Sequence, residues 1–493
     1  MSGFRKLFYI FSSLPFNPFL SMSPSLSARP WLFFLLVAFG VFLATMDSSM
    51  VNVALPTLMR SFGATLPQTG WVALIYLLTI TITLLIWGRL AERLGTARMY
   101  LLGMLVFSGG SAACSLASTL SLLIFCRFVQ ALGASMMMSA GPAIIKMVFP
   151  LHQLGRALGL VGIATSIGLM SGPMVGGLLL QYFSWRVLFL VTVPLSLSCF
   201  VLGWFRLLPA IPDPSAAGAE SADFDWAGLL VWTLLISLTV LLSTHHRLFS
   251  GGILLAGIVA LGLLLVLFRL IEQRAAAPLL PLVLFRKRYY GIAMCCASLS
   301  FTVLFVVLFL VPFYLDQVLR LPVNRIGLVM MAVPVAVFGV APLSGWLYDR
   351  TGAEQGARLL TTAGLALCCL ALICLCFLGE RSTMIDVAWR LALLGAGQAL
   401  FLSPNSASVL STVRSHHIAI TSGMLATARN LGMLAGVTLA SLVFGAVFSL
   451  LSGGLDLKDF SAVHTAAFIR SLRVSFGLTA LLAMVGAWLS ARR

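Results

Sequence analysis

Two ionisable residues of opposite charge lie inside long apolar stretches of this sequence. Asp47 follows Trp31 by 16 residues, which corresponds to ~24 Å along an α-helix. Asp47 is thereby placed in the outer half of its stretch. Arg127 enters a later apolar stretch from the opposite end, ~10 Å below the outer surface. A charge at the centre of a membrane helix costs at least ~2.5 to 3.5 kcal/mol on insertion scales, so an ionisable residue at such depth is a functional candidate.

The matching depths predict that Asp47 and Arg127 meet between two helices, with the carboxylate of Asp47 as the proton acceptor. Displacement of Arg127, or the approach of a cationic substrate, would then decide whether Asp47 holds a proton. The alternative is a fixed ion pair that only orients the first span, because buried pairs often serve specificity rather than chemistry.

The composition indicates that membrane-spanning helices must position this pair. Apolar residues make up 60% of the 493 residues and charged residues 9%, with a mean hydropathy of +1.06, whereas soluble proteins carry about 25% charged residues. The net charge of +17 belongs to short loops between apolar runs, so it indicates topology and not nucleic-acid binding. The nine cysteines lie in apolar runs without the spacing of zinc ligands, which predicts neither a metal site nor disulfides.

The apolar runs predict an all-α integral membrane protein with fourteen spans, since ~20 apolar residues cross the hydrocarbon. An even number places both chain ends on one side. Loops on that side hold about 19 of the 31 Lys and Arg residues and loops on the other side about 11, so the positive-inside rule predicts cytoplasmic termini. The predicted spans are 32–56, 69–90, 99–117, 121–147, 155–181, 186–207, 226–243, 250–270, 290–315, 325–348, 358–378, 386–411, 418–449 and 467–489.

A polar break at 209–225 is the predicted boundary between two halves of the chain. Segment 88–95 closes the second span, and segment 345–352 closes the tenth with a similar sequence, which indicates a duplicated half. Many secondary transporters are built from such duplicated halves. The predicted organisation is a cytoplasmic tail (1–30), a six-helix bundle (31–207), a linker with two extra spans (208–289) and a second six-helix bundle (290–493).

The predicted fifth span carries glycines at a four-residue spacing, at Gly168, Gly172 and Gly176, with Gly177 next to the last of them. This spacing places a groove on one helical face, where a neighbouring backbone can approach closely. Pro173 removes a backbone donor inside the span, which is tolerated in membranes where neighbours satisfy the freed carbonyl. The pattern predicts either an ordinary tight helix pair or an interface that moves.

Eight short motifs follow one another along the chain in a recognisable order. They are Met46–Pro56, Gly88–Arg98, Arg127–Gly133, Gly168–Gly177, Asp225–Gly228, Pro278–Pro281, Gly397–Asn405 and Arg429–Gly432. Together they resemble motifs of the major facilitator superfamily, and more closely those of its fourteen-span drug:proton antiporter group. The resemblance covers nearly everything after residue 30.

This resemblance implies two six-helix bundles with two additional central spans, and it assigns roles to two groups of residues. The implied conformational-switch loops contain Gly88, Glu92, Arg93, Gly95, Asp349 and Arg350. The implied antiporter motif contains Gly168, Gly172, Pro173, Gly176 and Gly177. The first loop departs from the family pattern at Glu92, where aspartate is usual, and at Thr96-Ala97, where basic residues are common, which weakens its expected role as a cytoplasmic latch.

Polar and aromatic side chains within the spans are the candidates for a central substrate cavity, with plain helix packing as an equal alternative for each. The candidates are Asn52, Trp71, Tyr76, Gln130, Gln398 and Asn405. Arg429 lies inside the thirteenth predicted span. Pairing with a backbone carbonyl or a polar group is favoured there over contact with substrate.

The leading hypothesis is proton-coupled export of lipophilic drugs or other amphipathic organic compounds across a bacterial plasma (inner) membrane. Only one deep carboxylate is predicted, which disfavours dications, since each desolvated positive charge needs a partner. Monocationic, zwitterionic or neutral lipophilic substrates are therefore expected. Export of an endogenous metabolite, lipid or siderophore, and action mainly with a periplasmic adaptor protein, stay open as alternatives. The expected partners are the lipid bilayer and a small-molecule substrate, without nucleic acid. No cofactor beyond the coupling proton and no enzymatic activity are expected, because the chain lacks a phosphate loop, a nucleophile elbow and a metal cluster motif.

Overall fold

The computed structural model describes residues 30–211, 225–244, 251–275, 285 and 287–493, except 352, 412 and 414–417. All regular secondary structure in this part of the chain is helical, which confirms the all-α prediction. Nearly all of the predicted tail (1–30) and parts of the predicted linker (208–289) lie outside the described residues. The predicted domain boundaries therefore stay predictions.

Sixteen α-helices occur in the described ranges, and we number them in chain order. They are α1 (Pro30–Phe62), α2 (Leu66–Leu94), α3 (Thr96–Ser115), α4 (Leu120–Val148), α5 (Leu151–Tyr182), α6 (Arg186–Leu190), α7 (Thr192–Arg206), α8 (Trp226–Thr244), α9 (Gly251–Arg274), α10 (Arg288–Gln317), α11 (Val323–Met330), α12 (Ala332–Thr351), α13 (Ala353–Cys376), α14 (Met384–Ser411), α15 (Ile418–Leu451) and α16 (Thr465–Ala491). Helices α6 and α7 form one apolar segment, and so do α11 and α12.

Twelve helical segments of the described chain are long and apolar enough to cross a membrane. The protein is therefore an integral membrane protein. Two of the fourteen predicted spans are not among the twelve. The span at 99–117 corresponds to α3, which is rich in serine and glycine, and the span at 226–243 corresponds to a shorter apolar helix, Trp226–Leu242. The count of fourteen spans stays a prediction.

The helices pack as two groups with a helix pair beside them. In the N-terminal group, α1 to α7, α1 packs on α5, α2 on α4, and α3 on both α4 and α7. In the C-terminal group, α10 to α16, α10 packs on α15, α12 on α14, and α13 on both α14 and α16. Helices α8 and α9 pack on each other, and α8 also contacts α2 and α15.

Helices α3 and α4 run antiparallel in close contact because small residues line their interface. A Cβ added to Gly103 would lie 2.7 Å from the Cβ of Met136, and one added to Gly110 would lie 2.5 Å from the Cα of Gln130. Such close approach is typical of helix packing within lipid, where small residues let backbones meet. The contact brings the side chains of α3 and α4 together at the depth of Gln130.

The two helix groups meet through α2 with α15, α5 with α11 and α1 with α10. Two polar contacts connect them at one end of the molecule. The Arg60 guanidinium contacts the Asp316 carboxylate at 2.7 Å, and the backbone N–H of Leu66 donates to Asp456 Oδ1 at 3.3 Å. We call this end the Arg60 face.

Candidate functional site

Asp47 on α1 and Arg127 on α4 form an ion pair inside the N-terminal group. Arg127 Nη1 donates to Asp47 Oδ2, and both side chains are completely buried. Arg127 Nε donates to the carbonyl oxygen of Val72 on α2 at 3.2 Å. The structure thus brings together the two charges whose depths match in the sequence.

Gln130, one turn after Arg127, connects both charges to a third helix. Its Nε2 donates to Asp47 Oδ1 at 3.0 Å and to Ser111 Oγ on α3 at 2.7 Å. Its Oε1 accepts from Arg127 Nη1 at 2.7 Å. Both carboxylate oxygens of Asp47 are therefore hydrogen bonded. Ser111 was not identified from the sequence, because a serine in an apolar helix usually bonds only to its own backbone.

Tyr76 on α2 completes this cluster. Its ring lies under the Arg127 guanidinium, 4.1 Å from ring centroid to Cζ, and its hydroxyl donates to the carbonyl oxygen of Ala44 at 2.8 Å. A guanidinium over an aromatic face is stabilised by the ring quadrupole, more strongly when both are desolvated. We call Asp47, Tyr76, Ser111, Arg127 and Gln130 the charge cluster. It joins α1, α2, α3 and α4 through side chains that are all buried.

A narrow apolar pocket lies between α5 and the C-terminal group. Its lining residues are Ser166, Leu169, Pro173, Phe301, Leu304, Leu308, Val333, Pro334, Gln398 and Leu402. The sequence predicts cavity or motif roles for only two of them, Pro173 and Gln398. The apolar lining residues give no signal in a sequence with 34 phenylalanines and a majority of apolar residues.

The predicted cavity residues do not share one cavity. Tyr76 and Gln130 belong to the charge cluster, and Gln398 lines the pocket, where its amide bonds to the hydroxyl and carbonyl of Ser300, each at 2.8 Å. Asn52 is buried on α1 with neither side-chain amide atom hydrogen bonded among the described residues. Trp71 packs partly buried against the apolar core.

Asn405 and Arg429 lie on α14 and α15 of the C-terminal group. The Asn405 amide bonds to the Ala293 carbonyl at 3.4 Å and accepts from Arg493 at 2.8 Å. Arg429 Nη2 donates to Ser406 Oγ at 2.7 Å. The polar partner expected for Arg429 from the sequence is thus a neighbouring hydroxyl.

The glycines of α5 have two separate partners. A Cβ added to Gly172 would lie 2.7 Å from the Met46 carbonyl oxygen and 2.7 Å from the Met50 nitrogen, so this glycine packs backbone to backbone on α1. Gly168 and Gly176 also pack on α1. A Cβ added to Gly177 would instead lie 2.6 Å from the Cα of Gly327 on α11, in the other helix group. One glycine motif therefore packs α5 within its own group and against the opposite group.

Comparison of the sequence with known protein families shows the family to which this protein belongs. The sequence model of the Major Facilitator Superfamily matches residues 37–437. The chain belongs to the major facilitator superfamily. The resemblance to the superfamily is thereby confirmed, whereas membership in its fourteen-span antiporter group stays a proposal.

Three relatives show which transporters this superfamily member is similar to. The riboflavin transporter RibZ of Clostridioides difficile is 30% identical over 93% of this chain and 96% of its own length. The uncharacterized transporter YebQ of Escherichia coli is 31% identical over 83% of this chain and 88% of its own length. The multidrug resistance protein Stp of Mycobacterium tuberculosis is 30% identical over 83% of this chain and 75% of its own length.

The two loops that resemble switch motifs of the superfamily are described only in part. Gly88 lies inside α2, where an added Cβ would come within 3.0 Å of Ser139 Oγ on α4. Gly95 joins α2 to α3 with φ of 96°, a conformation that favours glycine. Arg350 lies over the Trp346 ring at 4.1 Å. The side chains of Glu92, Arg93 and Asp349 lie outside the described part of the chain.

Proposed function

We propose that this transporter exports lipophilic or other amphipathic organic compounds in exchange for protons, by alternating access of the pocket between its helix groups. The ion pair of Asp47 and Arg127 carries the proposal. Both side chains of this pair are completely buried, and intramembrane carboxylates commonly mark proton pathways. The similarity to a multidrug resistance protein supports a lipophilic substrate.

The charge cluster supplies a mechanism for coupling. Uptake of a proton by Asp47 removes its charge and leaves Arg127 held by Gln130, the Val72 carbonyl and the Tyr76 ring. Because four helices contribute to the cluster, loss of the ion pair changes the packing of the N-terminal group and so favours a different tilt against the C-terminal group. A proton can shift the equilibrium between two conformations only by binding one of them more strongly.

The described conformation is closed at the Arg60 face. We place this face in the periplasm and both termini in the cytoplasm, in a bacterial plasma (inner) membrane, because loops on the side of the termini carry more Lys and Arg. The closed Arg60 face then belongs to the state that receives substrate from the cytoplasm. Rocking of the two groups around a site near the midplane is the usual route of alternating access.

Packing supports the count of fourteen spans. Helix α3 lies antiparallel along α4, and α8 pairs with α9 through ring contact of Trp232 and Phe268 at 5.7 Å. Since α4 and α9 are among the apolar segments long enough to cross, their antiparallel neighbours cross with them.

Alkaline phosphatase fused after Ser118 or Thr244 should therefore be active in the periplasm, and the same enzyme fused after Arg274 should be inactive. Inactive fusions at both of the first two positions would contradict the fourteen-span arrangement.

Proton exchange can be tested in vesicles that enclose a pH-sensitive dye. Lipophilic cations, anions and neutral drugs are added under an imposed proton gradient to the wild type, to Asp47→Asn and to Asp459→Asn, which changes an exposed carboxylate. We expect substrate-dependent proton movement in the wild type and in Asp459→Asn, and its loss in correctly folded Asp47→Asn. Proton coupling that survives Asp47→Asn would reject Asp47 as the proton-binding group.

Transport of an endogenous metabolite is the second candidate function. It is favoured by the similarity to a riboflavin transporter over nearly the whole length of both proteins. The pocket lining, mostly apolar with the polar side chains of Ser166 and Gln398, has the composition usual for a small-molecule site. Uptake or release of labelled riboflavin by the same vesicles separates the two candidates.

A further inference from the structure

Arg429 is a buried cation without an acidic partner among the described residues. The residue is only 9% exposed, and its Nε has no hydrogen-bond partner among the described residues. Its hydrogen bond to Ser406 joins it to a neutral hydroxyl, and its guanidinium lies 5.8 Å from the Phe301 ring centroid. The other deeply buried arginine among the residues that the structure describes, Arg127, is paired with Asp47.

Contacts from three helices place Arg429 at one end of the pocket. Its partner Ser406 lies one turn after the pocket residue Leu402 on α14. Phe301, under its guanidinium, itself lines the pocket. On α5, Gly162 lies one turn before the pocket residue Ser166, and a Cβ added there would lie 3.9 Å from Arg429 Nη1.

These contacts put a positive charge between the two helix groups, at the end of the pocket away from the Arg60 face. A buried charge is costly unless it is paired and hydrogen bonded. Arginine presents a planar fork of donors that matches carboxylate, sulfonate or phosphate oxygens. The rest of the pocket wall, including Leu304, Leu308 and Val333, is apolar.

We infer that Arg429 binds the acidic group of the transported molecule, and that the protein transports amphipathic organic anions whose apolar body fills the pocket. This inference rests on the proposed function, because it takes the pocket between the helix groups as the transport site. The acidic group lies toward Arg429 and Gly162, and the apolar body points toward the Arg60 face. A cationic drug placed there would meet a charge of its own sign.

The inference is tested by equilibrium binding to protein in phosphatidylcholine nanodiscs, which hold no anionic lipid. Three probes share one ring system: naphthalene-2-sulfonate is anionic, naphthalene-2-sulfonamide is neutral and 2-naphthyltrimethylammonium is cationic. Because a hydrogen-bonded charge contributes more than a neutral contact, the anion should bind about tenfold or more tightly than either of the others. Equal binding of the three probes, preference for the cation, or no binding of the anion would overturn the inference.

Two substitutions at one position then locate the anion site. Gly162 has space for a side chain beside Arg429, so Gly162→Asp supplies an internal carboxylate, while Gly162→Asn is a neutral control of the same size. We expect Gly162→Asp to weaken binding of naphthalene-2-sulfonate about tenfold or more beyond the effect of Gly162→Asn, because the two side chains take up the same space and differ in charge. Similar effects of the two would overturn the assignment.

Direct removal of the charge by Arg429→Gln should lower affinity for the sulfonate alone, with the affinity for the sulfonamide retained. If that variant does not fold, the comparison of Gly162→Asp with Gly162→Asn shows whether the sulfonate binds beside Arg429. Binding at equilibrium needs no proton gradient. Failure of proton exchange in vesicles would therefore contradict the proposed function and leave the anion preference intact. Equal binding of the three probes together with normal proton exchange would contradict only the anion site.

Discussion

At the scale of residues, the charge cluster balances one buried negative charge with one buried positive charge and a bridging amide. Asp47 accepts from Arg127 on one oxygen and from Gln130 on the other. Pairing and hydrogen bonding are what allow two charges to remain in an apolar interior. Replacing one member of the pair should therefore lower the free energy of unfolding by more than the net stabilisation that the intact pair provides.

A double-mutant cycle tests this. Arg127→Gln leaves the Asp47 carboxylate without its counter-charge and should destabilise the protein by roughly 3 to 5 kcal/mol. Adding Asp47→Asn removes the orphan charge and should restore part of that loss. Thermal unfolding in detergent, followed by the fluorescence of the buried tryptophans, measures the four proteins. A double variant whose loss equals the sum of the two single losses would show that the charges are not coupled.

At the scale of elements, the glycine motif of α5 contacts both the helix group of α5 and the opposite group. Its glycines at 168, 172 and 176 pack on α1, and Gly177 packs on Gly327 of α11. Methyl groups at such positions meet backbone, which cannot move aside as a flexible side chain can. Close helix packing in membranes depends on this absence of side chains.

Gly172→Ala should accordingly separate α5 from α1, because its Cβ would lie 2.7 Å from two backbone atoms of α1. Overpacking of this kind typically costs about 1 to 3 kcal/mol. The matched control is Gly339→Ala on α12, where an added Cβ meets no atom within 4 Å. We expect a lower midpoint of thermal unfolding for the first variant and an unchanged or slightly higher midpoint for the second. Equal midpoints would mean that the two helices separate without cost.

At the scale of the whole molecule, polar contacts join the two helix groups at the Arg60 face. Asp316 is nearly buried in its pair with Arg60, whereas the Arg60 side chain is half exposed. Exposed pairs contribute about 0.2 to 1 kcal/mol and are screened by salt. The pair is therefore suited to bias the conformational equilibrium modestly.

Arg60→Glu should place two like charges at this face and favour the conformation open there. Hydrogen–deuterium exchange of the peptide containing α11 should increase severalfold at low salt, since about 1 kcal/mol changes an equilibrium roughly fivefold. Adding Asp316→Arg should restore slow exchange. Arg320→Glu, which reverses an exposed charge near the same face, is the control. Fast exchange that persists in the double variant would argue against the ion pair as the cause.

The sequence by itself determined the helical class, the membrane location, the superfamily and the two opposite charges at one depth. Apolar length and charge position along a single chain are local properties, so they can be read without a structure. The glycine spacing on α5 likewise indicated close packing, but not that Gly177 faces a different partner from Gly172.

Only the tertiary structure decided which side chains share a site. Tyr76 and Gln130 join Asp47, whereas Gln398 lies in the pocket and Asn405 bonds to Arg493. Ser111 belongs to the charge cluster, and Arg429 lies at one end of the pocket beside Gly162. These neighbours are far apart in sequence and lie on different helices. Their proximity depends on how the helices pack around one another, which the apolar pattern of a membrane protein, nearly uniform along each span, does not specify.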